Sequence, residues 1–273
     1  MPYDSQQELN KVRDYYKGDA LQKRFSALIT GETNAGKTFI LRTARKPIHV
    51  DSFDPGGTKS IKDLIDSGDC IADTSWEDDD PFSPTAFARW MKAIDLRFHL
   101  GYFNQFGTYC LDSATTFGDA VMNYGLNLGN RAGEAPQRNK DYMPQKIFMQ
   151  NYIRKLMRLP CDFILTGHLR ENRKVLYIDP KTGVSRDEVN YRFYTTGQAV
   201  ITLPLLFDEI YVIKGTEGSS GPKREMLIDS LGTYVARSRL KQDGKLNSIE
   251  PPDIKAILKK VGYSTEDKPK LTL

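Results

Sequence analysis

Eight consecutive residues carry the clearest chemistry in the chain: Gly31, Glu32, Thr33, Asn34, Ala35, Gly36, Lys37 and Thr38. A glycine, four residues and then Gly-Lys-Thr is the spacing of a phosphate-binding loop, provided that a strand enters it and a helix leaves it. Both are expected here, because RFSALIT (24–30) is a short apolar run and FILRTA after Thr38 is compatible with a helix. Small residues let successive backbone N–H groups turn inward around a β-phosphate, and the start of the following helix adds positive potential. In that geometry Lys37 neutralises β- and γ-oxygens and the Thr38 hydroxyl ligates magnesium.

Magnesium also needs a carboxylate at the end of a neighbouring strand, because the hard dication prefers oxygen anions and keeps several of its waters. Asp112, closing TYCLD, fits that place. Ser113 follows it where a glutamate could have polarised the attacking water, so another base is required. Asp54, in the turn after the second strand, is the favoured candidate, with Asp51 and Glu32 as alternatives. His168 follows the apolar run CDFILTG and would stand at the carboxyl edge of the sheet, where α/β folds place their ligands. It is either a γ-phosphate contact or a structural histidine; His49 and His99 read as structural residues of a strand and a helix.

These residues need strands to hold them, and the chain supplies strand-like and helix-like segments in alternation. IHVDS (48–52), DCIA (69–72), GTYCLDS (107–113) and CDFILTGH (161–168) are strand-like; 85–100, 114–128 and 144–158 are helix-like, and 60–67 has its apolar residues at helical spacing. The alternation predicts an α/β fold with a mainly parallel, twisted sheet covered by helices on both faces. After residue 170 the pattern turns β-rich, with a hairpin about Asp179–Gly183, strands in FDEIYVIKG, REMLIDS and TYVARSRL around a flexible Gly215–Gly221 segment, and a last helix (253–261) opened by Pro251 and Pro252. One domain is expected over 1–273, made of a helical lead-in (1–23), a nucleotide-binding core (24–168), a β-rich extension (169–262) and a loose tail (263–273).

Composition sets the limits. With 273 residues, 39% hydrophobic and 27% charged, the chain is large enough for a core without disulfide staples and is neither disordered nor membrane-spanning in character. A polar N-terminus without an apolar segment predicts a cytoplasmic protein. Cys70, Cys110 and Cys161 lack metal-ligand spacing and read as reduced core residues. The net charge of +4 is unevenly spread: 51–80 holds ten acidic residues and two lysines, whereas 131–174 holds ten basic and four acidic residues. That basic stretch permits nucleic-acid contact or is an ordinary solvated face.

The series GETNAGKT, TYCLDS and FILTGH resembles the RecA-like core of P-loop ATPases. It is most similar to the core-only phage ATPases of the single-strand annealing recombinase type. The resemblance, over about 24–262, implies ATP and Mg2+ as ligands, His168 as a γ-phosphate sensor, and Arg237 and Arg239 as a pair reaching the nucleotide of an adjacent subunit. It therefore implies a homo-oligomeric ring or filament, single-stranded DNA as client, and phage replication or recombination proteins as partners. The DNA path would be lined by 129–143, with Arg131, Arg138 and Lys140, and by 169–198, with Arg170, Arg173, Lys174, Arg186 and Arg192 among Tyr191, Phe193 and Tyr194. Solvent-facing strand arginines and an ordinary aromatic hairpin account for the same residues. Phe53 departs from the family's pattern, standing where a glutamate is expected. A packaging or accessory ATPase with a protein client, and a nucleotide-gated module that does not hydrolyse, are the alternatives.

Overall fold

Side-chain alternation along the central strands fixes the layers, since neighbouring residues of a strand face opposite sides of the sheet. Leu28, Tyr109, Leu111, Phe163 and Leu165 join one buried cluster with Phe87, Trp90 and Phe117; Ile29, Cys110 and Ile164 join another with Ile40, Ile61 and Ile257. A sheet apolar on both faces must be covered on both faces. The computed structural model describes residues 4–18, 24–178, 185–194, 199–218 and 221–272.

The helices are α1 (Ser5–Gly18), α2 (Lys62–Asp66), α3 (Ala86–His99), α4 (Ala114–Leu128), α5 (Tyr142–Leu156), α6 (Ala199–Thr202) and α7 (Ile254–Val261). The strands are β1 (Ser26–Gly31), β2 (Ile48–Ser52), β3 (Cys70–Asp73), β4 (Thr108–Asp112), β5 (Asp162–Ile178), β6 (Ser185–Phe193), β7 (Glu209–Gly218), β8 (Gly221–Leu227), β9 (Arg237–Ser238) and β10 (Ile249–Glu250). They run in the order β10-β8-β7-β1-β5-β4-β2-β3, with β6 on β5 and β9 on β7. β7, β1, β5, β4, β2 and β3 are mutually parallel, and β6, β8, β9 and β10 are antiparallel additions. The expected mainly parallel α/β sheet is thus present.

Register decides which residues share an edge. Gly31 pairs with His168 across β1 and β5, and Ser52 pairs with Asp112 across β2 and β4, so the carboxyl ends of four strands present one set of candidate residues.

Four expectations need correction. The segment after Thr38 is a five-residue 3-10 helix, Phe39–Thr43, rather than an α-helix. β5 does not stop at His168 but runs ten residues further and pairs with β6 as a two-stranded arm; the expected turn at 179–183 lies outside the described residues. Gly215 and Gly218 belong to β7 and Gly221 to β8, so the expected flexible segment is mostly paired strand. The tail is held: Lys268 N–H donates to the Lys46 carbonyl at 2.8 Å, Lys268 Nζ to the Asn104 carbonyl at 2.9 Å, and Leu271 packs on the core. The three cysteines are free and buried, and burial pushes the Cys70 and Cys161 thiols up to about 12. Among the described residues no helix is long and apolar enough to cross a membrane.

Candidate functional site

The loop from Gly31 to Thr38 closes tightly because its two glycines occupy places no side chain could take. A Cβ at Gly31 would stand 2.8 Å from the Ile213 carbonyl oxygen, so the loop enters flush against β7. Gly36 has φ +100°, and a Cβ there would meet Arg224 Nε at 2.9 Å. Asn34 takes the left-handed conformation at φ 64°, which a short amide side chain tolerates better than most. Left-handed turns of this kind bend backbone N–H groups into one concavity. The short 3-10 helix that follows supplies a weak dipole, so the electrostatic draw of this cradle rests on its amides and on Lys37.

Lys37 is buried, and its ammonium donates to the Glu32 carbonyl at 2.9 Å and the Gly31 carbonyl at 3.3 Å. Burial lowers its pKa, against the attraction of Asp112 and Asp54. The Thr38 hydroxyl donates to Asp112 Oδ2 at 2.7 Å, and the Thr166 hydroxyl donates to Asp112 Oδ1. Burial raises the Asp112 pKa, with both threonines and Lys37 opposing and Asp54 reinforcing the rise. A Cβ on Gly57 would make an ordinary contact with Asp112 Oδ2, at 3.5 Å. A hydroxyl and a carboxylate side by side suit a hard cation such as Mg2+, with Thr38 and Asp112 as its holders. Among the described residues no three His, Cys, Asp or Glu side chains gather as a metal cluster.

Asp54 faces the same cleft. Its Oδ1 accepts from the Ser113 hydroxyl at 2.9 Å and the Thr116 hydroxyl at 2.6 Å, while Oδ2 stands 4.0 Å from His168 Nε2. Glu77 sets the turn that carries Asp54, accepting from the Ser52 hydroxyl at 2.7 Å and the Gly56 N–H at 3.0 Å. His168 is half-buried; burial and then the nearby Lys37 ammonium lower its pKa, with Asp54 acting the other way. Burial and Lys37 thus favour the neutral imidazole in the free protein. Proton NMR of its ring is expected to give a titration midpoint below 6.5 that rises when a triphosphate binds, because anionic oxygens favour the cation. A midpoint above 6.5 without ligand would contradict this placement.

Lys37, Thr38, Asp54 and His168 line one cleft of about 690 Å3 together with Thr33, Asn34, Gly36, Lys59 and Arg224. Asp112 sits beneath it through Thr38, and Ala35 is buried in the loop. Glu32 is exposed on the rim, 3.5 Å from the Tyr234 hydroxyl. Asp51 is not in the cleft. It is fully buried and accepts from Trp76 Nε1 (3.1 Å), Trp90 Nε1 (2.9 Å), Arg97 (2.9 Å) and the Tyr109 hydroxyl (2.7 Å), with His49 Nε2 at 3.0 Å. With every lone pair engaged away from solvent, it activates no water, and its role as a candidate base falls.

Arg237 and Arg239 are also elsewhere. β9 pairs with Glu209 and Ile210 at the start of β7, the end of the sheet remote from Gly31. Arg237 donates to the carbonyls of Phe207 (2.6 Å) and Pro204 (3.3 Å), a structural tie, and Arg239 pairs at the surface with Asp208 (2.5 Å). Arg131, expected in a DNA-facing loop, is engaged with Asp141 and Glu134. Arg224 and Glu77 were missed. Glu77 sat unmarked in an acidic run, and Arg224 has no local motif, reaching the loop only through the pairing of β8 with β7.

No family model matches the chain, and no curated protein matches it. Solved structures do. A KaiC-like protein of the hyperthermophilic archaeon Pyrococcus horikoshii is 13% identical, with a TM-score of 0.39 over 76% of this chain and 79% of that one. The flagellar accessory protein FlaH of Methanocaldococcus jannaschii is 13% identical, with a TM-score of 0.36 over 74% of this chain and 76% of that one.

Proposed function

We propose that the chain is a magnesium-dependent, RecA-like ATPase that acts on single-stranded DNA. The observation that carries the reading is the convergence of Lys37, Thr38 and Asp112 on a glycine-shaped loop, with Asp54 and His168 facing it across one cleft. Thr38 and Asp112 would hold Mg2+, which would supply neutralisation of phosphate charge. Lys37 exchanges its loop carbonyls for phosphate oxygens. Asp54, fixed by two hydroxyls on one oxygen, has the other free to orient and deprotonate water. His168 donates to the terminal phosphate.

The DNA part of the reading rests on the arm. His168 is hydrogen-bonded through its carbonyl to Tyr194 N–H at 2.7 Å, so the cleft and the foot of the β5–β6 arm share a residue contact. Arg170 lies over the Tyr194 ring at 5.5 Å, and Lys174 and Arg192 are exposed along the arm. Basic and aromatic side chains in alternation suit a single strand, whose bases stack without regard to sequence. Arg239, exposed and held only by its surface pair with Asp208 (2.5 Å), is the arginine that would exchange that partner for a neighbouring subunit's nucleotide in a homo-oligomer, since Arg237 is spent on carbonyls. A second reading, a protein client, is favoured by one feature: Val175, Leu176, Tyr177 and Ile178 of the arm are all more than half exposed.

ATP turnover measured with and without single-stranded DNA separates the two. Stimulation of at least several-fold, lost steeply as salt rises because bound phosphates release counterions, is expected. Turnover indifferent to DNA at every salt concentration would remove the DNA client and leave the protein client.

A further inference from the structure

Phe39, the first residue after Thr38, is 42% exposed although its neighbours Ile40 and Leu41 are buried in the core. Guanidinium groups lie over the ring from two residues, Arg42 at 4.6 Å and Arg224 at 4.9 Å. They differ in how they are held. Arg42 is fixed by Asp63 and by the Ser60 carbonyl at 2.8 Å. Arg224 has no carboxylate partner among the described residues and rests against Gly36 and Phe39.

A second hollow, of about 270 Å3, opens on this side of the loop. Gly36, Phe39 and Arg224 line both it and the phosphate cleft, while Ile40, Thr43 and Pro252 line only the second hollow. His168 and Asp54 line only the first. A nucleotide whose terminal phosphate faces His168 therefore points its other end past Phe39. Thr43 offers that end little polarity, since its hydroxyl donates to the Ile40 carbonyl at 2.7 Å and accepts from Ile254 N–H at 2.9 Å.

We propose that the second hollow is a nucleobase subsite, in which a purine stacks on the Phe39 ring and the Arg224 guanidinium. The proposal rests on the nucleotide reading above and adds where the base goes and what holds it. A planar guanidinium with no salt bridge to break is free to move aside and cover an entering ring, and arginine stacks on aromatic faces in a way that lysine does not.

The test compares wild type, Arg224→Lys and Phe39→Leu in binding two magnesium complexes, ATP and inorganic tripolyphosphate, which lacks base and ribose. Lysine keeps the positive charge and leucine keeps the apolar bulk, so only stacking is removed. Each substitution is expected to weaken ATP about tenfold or more, as loss of one base–aromatic contact does, with tripolyphosphate changed less than about twofold. Unaltered ATP affinity in both variants would overturn the subsite; parallel weakening of both ligands by Arg224→Lys would overturn it too and make Arg224 a phosphate contact. A wild type that binds neither ligand would overturn the phosphate-loop reading itself, a result distinct from either of these.

Discussion

Alanine at Lys37 is expected to lower ATP turnover by at least about 100-fold, the cost typical of removing one preorganised charge-stabilising donor from a reaction centre. Three features make the expected loss large. The ammonium is buried, so in place it acts on phosphate charge through little intervening water. Its present partners are only two carbonyls of its own loop, so no competing carboxylate has to be left behind when phosphate arrives. The 3-10 helix beyond Thr38 is too short to compensate with a strong dipole. Phosphate release measured on purified wild type and variant checks this, and turnover within tenfold of wild type would show that another group carries the charge.

The second large effect is on stability. Asp51→Ala is expected to cost at least about 3 kcal/mol, because it strips a buried carboxylate from Arg97 and leaves two indole N–H groups and a tyrosine hydroxyl without their acceptor. Burial alone would raise the Asp51 pKa, but His49, Arg97 and the Tyr109 hydrogen bond outweigh it and hold the carboxyl well below the usual range. A depressed folded-state pKa contributes stability above the unfolded value of about 3.9 and loses it only as pH falls through the folded value. Denaturant unfolding is therefore expected to show the full loss at both pH 5 and pH 8. A cost under about 1 kcal/mol at either pH would mean that the network is dispensable.

Much of the scaffold was legible because its signals are local. β2 falls on IHVDS and α4 on 114–128 as expected, where apolar spacing matches one period throughout. Asp253 caps α7 with its carboxylate accepting from Ala256 N–H at 2.9 Å, just behind the proline pair that marked the start. The helix after Thr38 was misjudged for a geometric reason. Only residues 39–47 separate the loop from β2, and they must return along five residues of strand, roughly 16 Å. A 3-10 helix rises about 2.0 Å per residue against 1.5 Å for an α-helix, so the tighter helix covers the distance with the residues available.

The site divides in the same way. Lys37 and Thr38 were readable from the loop spacing and Asp112 and His168 from strand ends, and strand register brings those two ends to the edge where the loop begins. Asp51 ranks below Asp54, three residues on, but nothing local in the sequence excludes it as a base. Its partners come from three places distant in sequence, Trp76 in the loop after β3, Trp90 and Arg97 on α3 and Tyr109 on β4, and only the folded packing gathers them. Arg237 and Arg239 matched a family pattern, yet the in-chain carbonyls that engage Arg237 belong to a turn with no sequence signal of that role.

Calorimetric titration of the magnesium complex of ATP into wild type and Lys37→Ala is the most direct measurement of whether residues 31–38 grip a triphosphate. One nucleotide per chain for wild type, with binding lost or at least about 100-fold weaker in the variant, is the result this account expects. Equal binding by the two proteins, or none by wild type, would contradict it.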